Sequence, residues 1–309
     1  MRLILFLCLC FVVTATAPNS EALASGLKTS DIDDFARYLF LEGDYTRAAG
    51  EYKRLAYYEN SDSLRLSWQL WVGRSEALAG NRFGALQYTG HVARHADSFP
   101  NLYSRAKLQL GVLALESLDF MAARKHLTEL KDDSLFTELA VLFTIPVYFW
   151  QRDYSSVSFT LANYPASPLT ENQRTALGQV LTIARNSPTK SPFLAGAMSA
   201  VIPGSGQFYC AHPVDGIQAF LFDSMFIIAA AVAWSNEDPS DSDLDALTIL
   251  ATGAATVVHG ANIFGASRTA AYRNHRLRLD AFDESLQIAK DAYMEQLRLE
   301  LSPHDPPEN

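Results

Sequence analysis

Apolar positions follow different rules in different parts of the chain. From about residue 30 to 187 they recur every three or four residues, the spacing that lines one face of an α-helix. Phe35, Ala36 and Leu39 form one set and Ala48, Tyr52 and Leu55 the next; Ala106, Leu110 and Leu113 repeat the pattern, followed by Ala123, Leu127 and Leu130. From Ser191 to Ser267 the periodicity gives way to near-continuous apolarity, with no Lys or Arg over 77 residues. Within it Val214 to Trp234 has 21 residues and Leu244 to Ala266 has 23. Each rises about 30 Å or more as a helix, enough to cross a bilayer core. Helical spacing returns at Phe282, Leu286, Ala289, Tyr293 and Leu297 within Ala281 to Leu301. This amphipathic helix is expected to pack on the protein or on a membrane surface, ahead of a loose tail from Pro303 to Asn309. The expected fold is all-α.

Short turn signals separate the helical sets of the first region. Gly43-Asp44-Tyr45-x-x-Ala48, Gly80-Asn81-Arg82-Phe83-x-x-Leu86, Leu118-Asp119-Phe120-x-x-Ala123 and Arg152-Asp153-Tyr154-x-x-Val157 place aromatics at 45, 83, 120 and 154. Gly or a short polar residue lets the first helix end, the aromatic fills the angle between two helices, and the small residue after it permits close approach. A helix-turn-helix unit used four times is predicted. Gly43-Asp44-Tyr45-x-x-Ala48-x-x-x-Tyr52 resembles the turn and second-helix positions of the tetratricopeptide repeat. The later copies depart from it: Arg82 inserts beside the second turn, Leu118 and Arg152 replace the turn glycine, and Val157 and Leu161 replace the small and aromatic positions. The resemblance implies a solenoid of helical hairpins over residues 30–187, whose inner surface receives a segment or helix of a protein partner. A generic helical hairpin array is the alternative. Tyr57, Tyr58, Trp68 and Trp71 are either anchors for that partner or core between helices.

In the apolar region, residues 191–267, Pro192 to Ile202 is too short to span as a helix and runs into Pro203-Gly204-Ser205-Gly206-Gln207-Phe208-Tyr209. Proline and the glycines predict a broken or re-entrant first segment, followed by a hairpin of two transmembrane helices. A buried soluble helix pair is the alternative. The lysine and spacing of a phosphate loop are missing. The stretch Ser191-Pro192-x-x-Ala195-Gly196-x-x-Ser199-x-x-x-Pro203-Gly204-x-Gly206-Gln207-x-Tyr209, then Asp215-Gly216-x-x-Ala219-Phe220, then Gly260-Ala261-Asn262-Ile263-Phe264-Gly265-Ala266, resembles an uncharacterised bacterial membrane module often joined to tetratricopeptide-type repeats. Asp223 stands where that pattern has Asn, and Ala211-His212-Pro213 where it has Gly or Asn. Asp215, Asp223, His259 and Asn262 would be expensive facing lipid and are expected to point at other helices or water. Two readings of them are open: an intramembrane site for a cation or proton using Asp223 and His259, or hydrogen-bonded glue between helices, aided by close packing at Ala261 and Gly265.

Composition bears mainly on compartment. The chain has 309 residues, 49% hydrophobic, with 25 Lys+Arg against 34 Asp+Glu and a net charge of −9. An acidic chain of this kind has no general attraction for nucleic acid, so no nucleic-acid partner is expected. Arg2, the apolar run Leu3 to Val13 and Ala22-Leu23-Ala24 read as a signal peptide over residues 1–24, with an uncleaved anchor as the alternative. Cys8 and Cys10 fall inside that segment, which leaves Cys210 without a disulfide partner. A cleaved signal puts the repeats outside the cytoplasm, at the inner membrane of a bacterial envelope. Arg268, Arg273, Arg276 and Arg278 follow the hairpin, in the basic junction that opens residues 268–309, and the positive-inside rule puts that end in the cytoplasm. Both hold only if residues 192–209 also cross; otherwise both ends lie outside.

No His-Glu-x-x-His, Gly-x-Ser-x-Gly, cysteine-pair or dinucleotide signature is present, so neither an enzyme nor a cofactor or metal site is expected. His91 and His95 are spaced for a metal but lack a third ligand nearby. The sequence favours a membrane-anchored, non-enzymatic protein-binding scaffold of the cell envelope. The alternative is a small transport or channel-type component with an Asp/His site, forming a homo-oligomer through the hairpin.

Overall fold

A computed structural model describes residues 29–130, 134–163, 169–237 and 244–301. Residues 1–24, read above as a signal peptide, the acids Asp238, Asp241 and Asp243 between the two apolar stretches, and the tail from Pro303 lie outside the described residues. Those described are all helical, in thirteen helices and no strand. The chain divides into two compact units, one of residues 1–133 with 301–309 and one of residues 134–300. That division falls inside the stretch read above as one array.

The first unit holds three hairpins: α1 (Thr29–Leu41) with α2 (Tyr45–Tyr58), α3 (Asp62–Leu78) with α4 (Arg82–His95), and α5 (Pro100–Leu115) with α6 (Phe120–Thr128). In the second unit α7 (Ser134–Gln151) and α8 (Tyr154–Asn163) form a fourth, followed by α9 (Glu171–Asn186). One turn closes all four hairpins. Gly43, Gly80, Leu118 and Arg152 take left-handed φ of 84°, 81°, 57° and 60°. Their N–H groups donate to Phe40, Ala77, Leu115 and Phe149, and the N–H of the next residue reaches the carbonyl one residue further back, of Leu39, Glu76, Ala114 and Tyr148. This double bond satisfies carbonyls that the ending helix leaves open. That next residue, Asp44, Asn81, Asp119 or Asp153, then caps the following helix by accepting from Arg47, Gly84, Ala122 or Ser156 N–H.

These equivalences correct the second turn. The position after the cap is Tyr45, Arg82, Phe120 and Tyr154, so Arg82 is no insertion and Phe83 does not fill the angle between helices: its side chain is 79% exposed. Arg82 instead donates to the Leu113 carbonyl at 2.6 Å, on α5 of the next hairpin. The small residue three later is then Ala85, fully buried like Ala48, Ala123 and Val157, whereas Leu86 is exposed. Trp71 is core, packed on Phe40 and Tyr52, and Trp68 stacks on Tyr52. Tyr57 and Tyr58 point outward.

The second unit continues with α10 (Pro192–Val201), the short α11 (Ser205–Tyr209), α12 (Pro213–Ser235) and α13 (Ala246–Leu301). α12 and α13 are long and apolar enough to cross a membrane. α13 is a single helix of 56 residues, so the second apolar stretch, the arginines and the amphipathic segment are continuous. Its C-terminal part packs on α7: Trp150 meets His275 and Phe282 edge-on, and Phe143 meets Tyr293. The amphipathic face therefore covers the fourth hairpin.

Candidate functional site

Pro203 ends α10, and the chain reverses at Gly204, whose φ is 81°. A Cβ there would sit 2.1 Å from the Gly216 carbonyl oxygen, so only glycine permits α12 to cross at this point. A Cβ at Gly206 would sit 2.0 Å from the Ala195 carbonyl oxygen, which lets α11 fold back onto α10. The segment returns to its start. Ser191 N–H donates to the Tyr209 hydroxyl at 3.2 Å, and Lys190 Nζ lies 4.4 Å from the Tyr209 ring centroid. Gly216 itself lies against the Phe208 ring.

Within this fold-back the polar residues form one connected path. Gly206 N–H donates to Ser199 Oγ at 3.0 Å, and Ser199 Oγ donates to Gln207 Oε1 at 3.1 Å. Gln207 Nε2 donates to Asn262 Oδ1 at 3.0 Å, and Asn262 Nδ2 to Asp223 Oδ2 at 2.8 Å. His259 closes the path, with Nδ1 2.9 Å from Asp223 Oδ2 and Nε2 3.2 Å from the Ala200 carbonyl oxygen. Ser199, Gln207, Asp223 and Asn262 are buried, Asp223 at 1% exposure. Asp223 Oδ1 has no hydrogen-bond partner. The His259 side chain keeps 28% exposure, so the path has one open edge.

Gln207, Asp223, His259 and Asn262, four of the residues the sequence singles out, are thus brought together, with Gly204, Gly206 and Gly216 shaping the crossing. Asp215 is not part of the cluster: it stays exposed in the first turn of α12, 3.3 Å from His212. The close packing expected at Ala261 and Gly265 is not made within this chain, since Ala261 is exposed and a Cβ at Gly265 meets nothing within 4 Å. Contact falls instead at Gly196, where a Cβ would lie 2.4 Å from Ser267 Oγ. Ser199 belongs to the stretch that carries the membrane-module resemblance, but its place in the hydrogen-bonded path was not expected. The Ala200 carbonyl, a backbone group, leaves no signal in the sequence.

At the opposite end Trp234 Nε1 donates to Thr252 Oγ1 at 2.8 Å, so α12 and α13 are tied at two levels. Where the chain enters and leaves this module, Lys190 N–H donates to Asn274 Oδ1 at 2.8 Å, Asn274 Nδ2 to the Lys190 carbonyl at 2.7 Å, and Arg273 to the Pro188 carbonyl at 2.9 Å. Residues 188–190 and 273–274 are neighbours. No protein-family model, curated protein or solved structure matches the chain.

Proposed function

We propose that the chain is a membrane-anchored, non-enzymatic protein-binding scaffold of the bacterial cell envelope, with its partner held by the helical hairpins. The observation that carries this reading is the outward aromatic pair at the end of α2. Tyr57 and Tyr58 are 81% and 68% exposed and meet edge-on at 5.0 Å. Exposed aromatics of this kind supply large contact area at interfaces. In this reading α12 and the first part of α13 are the anchor, and the polar path is what holds α10, α11 and the two spans together where lipid offers no hydrogen bonds. The N-terminal run Leu3 to Val13 supports export, with the repeats outside the cytoplasm at the inner membrane. Photo-crosslinking in cells from position 57 or 58 of the full chain tests it. A discrete protein adduct, lost when the neighbouring tyrosine is changed to serine, is expected; crosslinks to lipid alone would overturn it.

A second reading, a small transport or channel-type component, draws on the Asp223–His259 contact. One hairpin cannot enclose a pore. A strict monomer in detergent and in lipid discs sinks this reading, whereas a defined homo-oligomer supports it.

A further inference from the structure

We propose that Asp223 and His259 form a one-proton site whose proton latches α10 to α13. The inference uses the same pair as the second reading above but requires no transport. Both ring nitrogens of His259 meet oxygens that ordinarily only accept: a carboxylate oxygen at 2.9 Å and a backbone carbonyl at 3.2 Å. A neutral imidazole has one N–H and one lone pair, so it can serve one of these and must repel the other. Two arrangements satisfy both contacts. Either His259 is doubly protonated beside ionised Asp223, or Nε2–H donates to Ala200 and a protonated Asp223 Oδ2 donates to Nδ1. Each holds one proton more than a neutral histidine beside a carboxylate, and each makes the pair neutral. Neutrality is what a poorly solvated site between apolar helices demands.

Among the described residues no other cation is placed to neutralise Asp223. There its Oδ1 has no donor, and Oδ2 meets the Asn262 amide and His259. α10 brings no titratable side chain, and α11 brings only Tyr209, whose hydroxyl accepts from Ser191 N–H. The connection to α12 brings buried Cys210 and His212, the latter beside Asp215. From Ser191 to Ser267 there is no Lys or Arg, and α13 carries no basic side chain besides His259 before Arg268. Ala200 lies in the last turn of α10, whose carbonyl end carries the negative pole of the helix dipole and favours a positive partner.

Loss of the proton to bulk water, through the open edge of His259, leaves a carboxylate and an imidazole with a single N–H. The bare carboxylate holds that N–H at Nδ1, because it is the stronger acceptor. The Nε2 lone pair then faces the Ala200 carbonyl, and the link from α13 to the end of α10 is lost. Proton occupancy thereby sets whether the end of α10 is fastened to α13 through His259, while the Gln207–Asn262 bond goes on holding α11.

The test uses the full chain in lipid discs. Nitrogen NMR of ¹⁵N-histidine protein, with His259→Gln to identify the signal, counts N–H bonds on His259, and difference infrared spectra count protonated carboxyls. Hydrogen exchange across residues 198–208, corrected for the intrinsic effect of pH, follows the fold-back. One proton per chain is expected to leave in a single step, with a rise of tenfold or more in exchange over the same interval. A His259 ring with one N–H and an ionised Asp223 at every pH at which the fold persists would overturn the site. A proton step without a change in exchange would overturn the latch. Asp223→Asn is expected to abolish the step; if that variant does not fold, the wild-type series decides alone.

Discussion

Ala211 holds a left-handed φ of 64° with its side chain exposed, between α11 and α12. An L-residue pays about 1–2 kcal/mol for that conformation, partly offset by the extra freedom a glycine has when unfolded. Ala211→Gly is therefore expected to stabilise by about 0.5–1 kcal/mol and to raise Tm by about 1–3 °C in a thermal melt. Arg152, with φ of 60°, should not respond in the same way. Its guanidinium donates to the Ser187 carbonyl at 3.2 Å and lies 5.7 Å from the Tyr154 ring centroid, contacts that Arg152→Gly removes. A titratable group that couples pH to stability is His126 in α6, whose Nδ1 is buried without a partner. Burial, then the charge of Lys107, holds this imidazole below its ordinary value of 6.5. The unfolded chain consequently binds the proton more readily, and stability falls as pH drops below about 6.5. His126→Gln should flatten that part of the urea-midpoint profile. An unchanged slope between pH 7 and 5 would show that the histidine is not its source.

The hairpin turns are the elements most legible in the sequence. Their Gly-or-other, Asp-or-Asn, aromatic pattern marked four reversals, because a left-handed residue followed by a short capping side chain is a local requirement that composition records. The one-residue slip at the second turn has a physical origin. Arg82 reaches a backbone carbonyl where the other turns place an aromatic, and the neighbouring Phe83 supplied a misleading ring. Substitutions separate the two registers. Phe83→Ser should change stability by no more than about 0.5 kcal/mol, as at other exposed sites, whereas Ala85→Leu should cost about 1–3 kcal/mol by overpacking. Asp119→Ala, which removes the cap on Ala122 N–H, should cost about 1 kcal/mol. Urea melts of the three variants would rank them. Less of the polar path could be read in advance. Asp223, His259, Asn262 and Gln207 stood out as polar residues in an apolar field, but their connection depends on Ser199, the Ala200 carbonyl and the approach at Gly196. All three follow from how α10 folds back, a tertiary event without a periodic signature.

For the whole molecule, the contacts of residues 188–190 with 273–274 bear on topology. A segment that returns from Tyr209 to Ser191, followed by two spans, leaves its flanks together. In a membrane crossed by the two candidate spans both flanks then lie on one face, and the expectations drawn from a cleaved N-terminal signal and from the positive-inside rule could not both be met. A tag placed after Asn309 is expected to be digested by protease added to intact spheroplasts of an exporting host. Protection of that tag, with the helical hairpins still accessible, would require residues 192–209 to cross instead.

The unbroken α13 adds a mechanical consequence. His259 and Tyr293 belong to one rod, separated by about 51 Å at 1.5 Å per residue. A tilt of about 5° pivoting at His259 would swing the Tyr293 end by about 4 Å, about the rise of three helical residues. A small rearrangement at the polar path would thereby be amplified at Phe143, the α7 residue against which Tyr293 rests. The helix acts as a lever arm, with its short end among the apolar helices and its long end on the fourth hairpin.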